Sequence, residues 1–354
     1  MKKTAFKLIS LILSLTMFIC LLPLSATAED APYYPTGLIW SDEETLSKIP
    51  VDNIATMANT TKTSVDLTDK FPDPGNQNPQ SSCVGWAVAY LKSGQETIKR
   101  GWSAKADSHM FSPSYIYNIL NGGKDEGISI PDAINIVAAL GVCSINYFPY
   151  EKDNYTKQPS SIALNAASLY KASVCKQTTS VQDIKNHLAN NQGVVIGVKV
   201  YPDLRLLSIL NPIYDNTIGN PEPGGHAICL IGFDDSKGAF KFINSWGTIW
   251  GLGGYGWISY KLVEDTTVNR HGAGVGFYMD TVKDDYILGD VNGDGKITTV
   301  DSKLILEHVA GTKTLTNKQF ALADVNGDAK VTTVDSKNIL KYVSGEITKM
   351  PLYN

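Results

Sequence analysis

Residues 225–251 read GHAICLIGFDDSKGAFKFINSWGTIWG. From His226 to Phe233 the run is almost continuously apolar, the pattern of a buried strand headed by a histidine. Asp234–Ala239 reads as a turn, and Phe240–Ile243 returns as a second strand ending at Asn244. At about 3.3 Å per residue, the hairpin brings Asn244 to within roughly 10 Å of His226. A histidine whose tautomer an amide can fix is one half of a nucleophilic site. Beyond it, Gly251–Gly256 fits the glycine spacing of a dinucleotide-binding turn. A true one opens a helix and carries an acid about twenty residues on. Here Trp257–Tyr260 reads as a strand and Gly276 stands at that position, so nucleotide binding is rejected.

The other half lies upstream. Asp73-Pro74-Gly75-Asn76 and Asn78-Pro79 form a non-helical loop. After Cys83, the positions Val84, Ala87, Val88, Leu91 and Ile98 follow helical spacing, interrupted by Gln95. Lys99-Arg100-Gly101 supplies cations and a capping glycine at the far end. Cys83 is therefore expected at the N-terminus of a helix of about 17 residues, where unpaired N–H groups favour thiolate over thiol. Most cysteines before helices are small buried apolar residues. It is the combination with His226 and Asn244 that makes a nucleophile, a base and an orienting amide.

These residues resemble the papain family of cysteine peptidases over about 65–280. Gln77, six residues before Cys83, has the family's spacing for the glutamine of the oxyanion hole; Gln80 is its rival. Asn244-Ser245-Trp246-Gly247-Thr248-Ile249-Trp250-Gly251 matches the family's N-S-W-G-x-x-W-G signature, and Gly254-Tyr255-Gly256-Trp257 continues it. The resemblance implies an α+β fold with a helical subdomain, a β-barrel-like subdomain and a cleft between them. It further implies that Trp246 shields the His226–Asn244 bond from water, and that Gly127 binds substrate backbone. Two departures stand out: Trp86 lies three residues after the nucleophile rather than one, and Gln80 occupies a frequent disulfide position. His109, His187, His271 and His308 are taken as structural.

A second domain is marked by a repeat. Gly289–Gly311 matches Ala323–Gly345 at an offset of 34, with 16 of 23 positions identical. Each copy opens on a twelve-residue loop of the calcium-binding type. Positions 1, 3, 5 and 12 are Asp290, Asn292, Asp294 and Asp301 in the first, and Asp324, Asn326, Asp328 and Asp335 in the second. A hard cation needs six or more oxygens, and this spacing points them inward. Lys296 and Lys330 offer backbone carbonyls at position 7, with Thr298 and Thr332 at position 9. Three carboxylates per loop repel one another without an ion. Loop is followed by helix with no helix before the first, and position 12 is Asp rather than Glu. In this, residues 285–354 resemble a type I dockerin, a small all-α module with two calcium loop-helix repeats that binds cohesin domains of cellulosome scaffolds. The resemblance implies two calcium ions, and cohesin contacts at Thr299, Val300, Thr333 and Val334. Ala329 replaces the glycine that makes the sharp turn at position 6, so the second site is expected to be the weaker. Tyr286 and Pro351 are expected to clasp the ends.

Composition agrees with a secreted protein. Lys2, Lys3 and Lys7 precede the apolar run 8–24, and Ala26-Thr27-Ala28 forms a cleavage site, so residues 1–28 read as a signal peptide. The chain has 354 residues and a formal charge of −4; without the signal, 28 basic face 35 acidic side chains, −7. That balance excludes a nucleic-acid binder held by phosphate contacts, and after signal cleavage no membrane segment remains. With Cys20 removed and Cys83 assigned, Cys143, Cys175 and Cys229 allow at most one disulfide; Cys229 reads as a buried free thiol. Residues 29–64 are either a short inhibitory propeptide or a disordered leader, 65–284 the peptidase block and 285–354 the dockerin-like block. The expected activity is a secreted, scaffold-docked cysteine endopeptidase acting on proteins or peptides, with no cofactor in the peptidase site. The alternatives are a silent or propeptide-locked binding protein, or a thioester-forming acyl transferase.

Overall fold

The computed structural model describes residues 34–51, 59–271 and 274–353. The signal expected over 1–28, with Cys20, and part of the leader lie outside the described residues. The helices are α1 (Glu43–Ser47), α2 (Cys83–Arg100), α3 (Pro113–Leu120), α4 (Ile130–Leu140), α5 (Ser161–Ala167), α6 (Val181–Ala189), α7 (Pro202–Arg205), α8 (Tyr260–Glu264), α9 (Thr299–Val309), α10 (Asn317–Ala323) and α11 (Thr333–Val343). The strands are β1 (Ser64–Asp66), β2 (Lys176–Gln177), β3 (Val194–Val198), β4 (Ile213–Tyr214), β5 (His226–Asp234), β6 (Ala239–Ile243), β7 (Tyr255–Ser259) and β8 (Phe277–Tyr278). None of the described helices is long and apolar enough to cross a membrane.

Helix α2 packs against α3 and α4 on one side and against β5 on the other. It ends as the sequence predicts, on Gly101 in the left-handed region (φ 70°). Its burial differs from the expected single stripe, because every residue from Cys83 to Thr97 is buried. Lys92 and Glu96 pair at 2.6 Å inside the molecule. Lys92 also donates to the Lys171 carbonyl, and Arg100 takes the second Glu96 oxygen at 2.6 Å. A buried pair persists only when its remaining polar atoms are satisfied in this way.

The sheet runs β2-β8-β3-β5-β6-β7-β4. Strand β5 is its centre: β6 flanks one edge, while β3 covers His226–Leu230 and β1 covers Gly232–Asp234 on the other. The predicted hairpin is β5–β6, pairing Cys229 with Ile243 and Asp234 with Ala239. The glycine-rich segment 251–256 feeds strand β7, and Tyr260 opens α8 instead of ending the strand. Cys83, Cys143, Cys175 and Cys229 are all buried free thiols.

In the C-terminal region α9 packs on α11. Ser302 and Ser336, equivalent positions of the two repeats, bond hydroxyl to hydroxyl at 2.8 Å, and each hydroxyl reaches the other's carbonyl at 3.3 Å. A residue that meets its own equivalent lies on a near-twofold axis. The repeats are thus related by symmetry as well as by sequence. Helix α10, ahead of the second loop, is an addition to the loop-helix reading. Thr316 and Gln319 form its capping box. The ends are closed by Met350, packed on Gly289, and by Leu352, whose N–H donates to the Val325 carbonyl. Tyr286 turns elsewhere, toward the Tyr170 ring, and its hydroxyl accepts from Arg100.

Candidate functional site

The head of α2 and the head of β5 meet in the core. Cys83 and His226 are both fully buried, and the sulfur faces the backbone N–H of Ala227, the neighbour of His226. His226 Nε2 lies 2.7 Å from Asn244 Oδ1. That oxygen also accepts the Ser245 N–H at 2.8 Å, which identifies it as the amide oxygen. Nε2 must then carry the proton, and Nδ1, buried without a hydrogen-bond partner among the described residues, keeps a free lone pair. Trp246 stacks on the imidazole at 4.4 Å and 25°.

The loop before α2 is strapped to the segment after β6. Gln77 N–H donates to the Ser245 carbonyl and Gly247 N–H to the Gly75 carbonyl, both at 2.8 Å. The Ser245 hydroxyl donates to Gln77 Oε1 at 2.6 Å, which leaves the Gln77 amide nitrogen facing the Gln80 carbonyl at 2.9 Å and the Thr36 carbonyl at 3.4 Å. The Gln80 Nε2 donates to the Glu151 carbonyl at 2.7 Å. Ser245 thus fixes both Asn244 and Gln77. Its place between the two amides is visible only in three dimensions. Trp86, the displaced tryptophan, fills the space over Gly75 and meets Tyr150 edge-on.

Residues 35–40 lie across this site. Leu38 pairs with Ile128 on one wall and with Gly225 on the other. Gly37 and Leu38 N–H both donate to the Gly225 carbonyl, Ile39 N–H to Ile128, and Ile128 N–H to Gly37. The Thr36 carbonyl lies 3.4 Å from Gln77 Nε2, and Trp246 Nε1 donates to the Pro35 carbonyl at 2.9 Å. Leu38 is buried against Gly197, and Trp40 covers Gly197 and Gly225 and meets His271 edge-on at 4.9 Å. Ile128 makes these backbone bonds, and Gly127 beside it leaves room, because a Cβ there would stand 2.1 Å from the Gly37 carbonyl. Burial pushes the Cys83 thiol up to about 12 and His226 down to about 4, so the covered pair is neutral.

The two C-terminal loops present oxygen donors only, the chemistry of a hard cation such as calcium. Asp290, Asn292, Asp294, the Lys296 carbonyl and Asp301 would hold one ion, and Asp324, Asn326, Asp328, the Lys330 carbonyl and Asp335 the other. Among the described residues no three His, Cys, Asp or Glu side chains form a ready-made cluster. Here the carboxylates gather the loops' own N–H groups, as Asp290 does from Gly293, Asp294 and Gly295. Position 6 is left-handed in both: φ is 86° at Gly295 and 62° at Ala329. Ala329→Gly is expected to strengthen calcium binding at the second loop about fivefold, since a left-handed alanine costs about 1 kcal/mol. Calorimetric titration of wild type and variant checks this. Thr299, Val300, Thr333 and Val334 are exposed in the first turns of α9 and α11.

The family model for the papain family cysteine protease matches residues 76–272, and that for the dockerin type I domain matches 288–344. An uncharacterized peptidase C1-like protein, L477, from Acanthamoeba polyphaga mimivirus is 27% identical over 237 residues, 62% of this chain and 74% of the relative. Xylellain, a cysteine protease from Xylella fastidiosa, superposes with a TM-score of 0.58 at 23% identity, over 71% of this chain and 96% of that one. Procathepsin L2 from the larval midgut of Tenebrio molitor gives 0.57 at 20% identity, over 72% and 81%. These two solved structures establish the fold. With the family match spanning more than half of its length, the chain belongs to the papain family of cysteine proteases and carries a type I dockerin domain behind the peptidase domain.

Proposed function

We propose that this chain is a secreted cysteine endopeptidase, made in a leader-locked form and docked to a cellulosome scaffold through its dockerin. The observation that carries the peptidase reading is the set His226–Asn244–Ser245–Gln77 converging on the head of α2. In the uncovered site the Cys83 proton passes to His226 Nδ1 and the sulfur attacks the peptide carbonyl. The oxyanion takes hydrogen bonds from Gln77 Nε2 and the Cys83 N–H. His226 then protonates the departing amine, leaving a thioester. Finally His226 takes a proton from water, whose oxygen displaces the sulfur and returns Cys83. Asn244 holds the imidazole in the tautomer that this sequence requires.

The leader favours latency over a merely disordered segment, since residues 35–40 pair with both walls of the cleft. The exposed repeat positions on α9 and α11 favour a cohesin partner met in either of two near-equivalent orientations. The domain limits we assign are 65–284 for the peptidase and 285–354 for the dockerin.

The test is hydrolysis of casein by chain trimmed ahead of Ser64, with and without a thiol-reactive epoxide. Full inhibition with the label on Cys83 is the expected result. Absence of hydrolysis, or labelling at another cysteine, contradicts the assignment. Aminolysis products outrunning hydrolysis favour an acyl transferase. Chelation of calcium is expected to abolish cohesin binding and leave casein hydrolysis measurable.

A further inference from the structure

The two calcium loops are near-copies, yet their surroundings differ. Asp290 and Asp324, at position 1, each gather the N–H groups of positions 4, 5 and 6 of their own loop. Asp324 accepts one donor more, the Tyr147 hydroxyl at 2.6 Å from Oδ2. The neighbouring Asn146 donates its amide to the Gly327 carbonyl at 2.7 Å. Both residues belong to the peptidase domain. Gly327 lies against Ser108, whereas a Cβ at its equivalent Gly293 would meet nothing.

The segment that presents these two donors is pinned to the peptidase core. Ser112 N–H donates to the Cys143 carbonyl and Ile145 N–H to the Met110 carbonyl, both at 2.9 Å. The Ser112 hydroxyl, which caps α3, donates to the Phe148 carbonyl. A second tie runs through the end of the chain. His109, stacked on Trp102, bonds the Leu352 carbonyl through Nε2 at 2.9 Å, and Leu352 N–H holds the Val325 carbonyl inside the same loop. Lys99 and Arg100, at the end of α2, grip Asp284 in the connection between the domains.

We propose that the peptidase domain forms part of the second calcium site. Tyr147 and Asn146 are positioning residues that hold the first ligand and the loop backbone ready for the ion. The inference rests on the dockerin reading. A carboxylate fixed by an outside donor loses less freedom when it takes up a cation. This support offsets the handicap of Ala329 in the weaker loop. By linkage the effect is reciprocal: calcium at this loop tightens the seating of the dockerin on the peptidase domain by the factor that seating tightens calcium. The first loop, which has no such brace among the described residues, is the internal control.

The test is calorimetric calcium titration of the full chain and its Tyr147→Phe and Asn146→Ala variants. Asp328→Ala identifies the step that belongs to the second loop. Loss of one charge-assisted hydrogen bond is expected to weaken that step about tenfold in Tyr147→Phe and leave the other unchanged. Asn146→Ala weakens the same step by a smaller factor through a separate contact, and so serves should Tyr147→Phe fail to fold. Second-loop affinity that is unchanged or tighter in the folded variants overturns the proposal. No calcium step at all in wild type overturns the dockerin reading beneath it.

Discussion

Chain cut ahead of Ser64 is expected to hydrolyse casein at least about a hundredfold faster than chain that keeps its leader. Residues 35–40 occupy the cleft through four backbone hydrogen bonds to Gly225 and Ile128 and through the buried Leu38 side chain. At about 1 kcal/mol per net hydrogen bond and about 2 kcal/mol for a buried leucine, this contact outweighs a substrate present at micromolar level. Tethering adds to it, because the leader is present at an effective concentration in the millimolar range. Acid is expected to loosen the same lock. His226 stands at about 4 because it is buried, and His271, beside Trp40, at about 4 through burial and the charge of Arg270. Opening the cleft returns both toward 6.5, so the open form binds protons more tightly. The closed form therefore holds its full advantage above pH 6.5. It loses about 1.4 kcal/mol per pH unit for buried His226 down to about pH 4, and less for the partly exposed His271. N-terminal sequencing and casein hydrolysis after incubation at pH 7 and pH 4.5 check both points. Equal activity of cut and uncut chain removes the latency argument.

Signals confined to a few residues were readable directly. Cys83 at the head of a helix, Gly101 at its end, the β5–β6 hairpin and the left-handed position 6 of each calcium loop follow from local spacing. What escaped depends on pairs far apart in sequence. Leu38 reaches Ile128 and Gly225, and nothing in the composition of 29–64 distinguishes a strand in a cleft from a loose leader. Ser245 joins two amides 167 positions apart, Gln77 and Asn244. Helix α2 misled for another reason. Periodicity assumes one wet face, and a helix enclosed on all sides can carry Lys92 and Glu96 inward when they satisfy each other. Helix α10 does carry a local signal, the Thr316–Gln319 capping box, but it lies outside the repeated loop-helix unit.

In leader-free chain, Cys83→Ala is expected to lower kcat/KM for a peptide substrate by about ten-thousandfold or more, to the background set by binding and the oxyanion donors. The partners should fall in a defined order. Gln77→Ala removes one oxyanion donor and is expected to cost about a hundred- to a thousandfold in kcat with little change in KM. Asn244→Ala frees the imidazole to rotate and to carry its proton on Nδ1, the atom that must receive the Cys83 proton. Its loss should therefore appear in kcat and in the pH dependence, while binding is kept. Ser245→Ala separates the two effects. It deletes the hydroxyl that orients Gln77 but keeps the N–H that orients Asn244, so it should resemble a mild Gln77 variant and not an Asn244 one. Combining any of these with Cys83→Ala should add almost nothing, because residues acting through one nucleophile fail together. If Cys83→Ala retains activity that the double variants then lower further, the nucleophile lies elsewhere, and the Cys83–His226–Asn244 assignment falls.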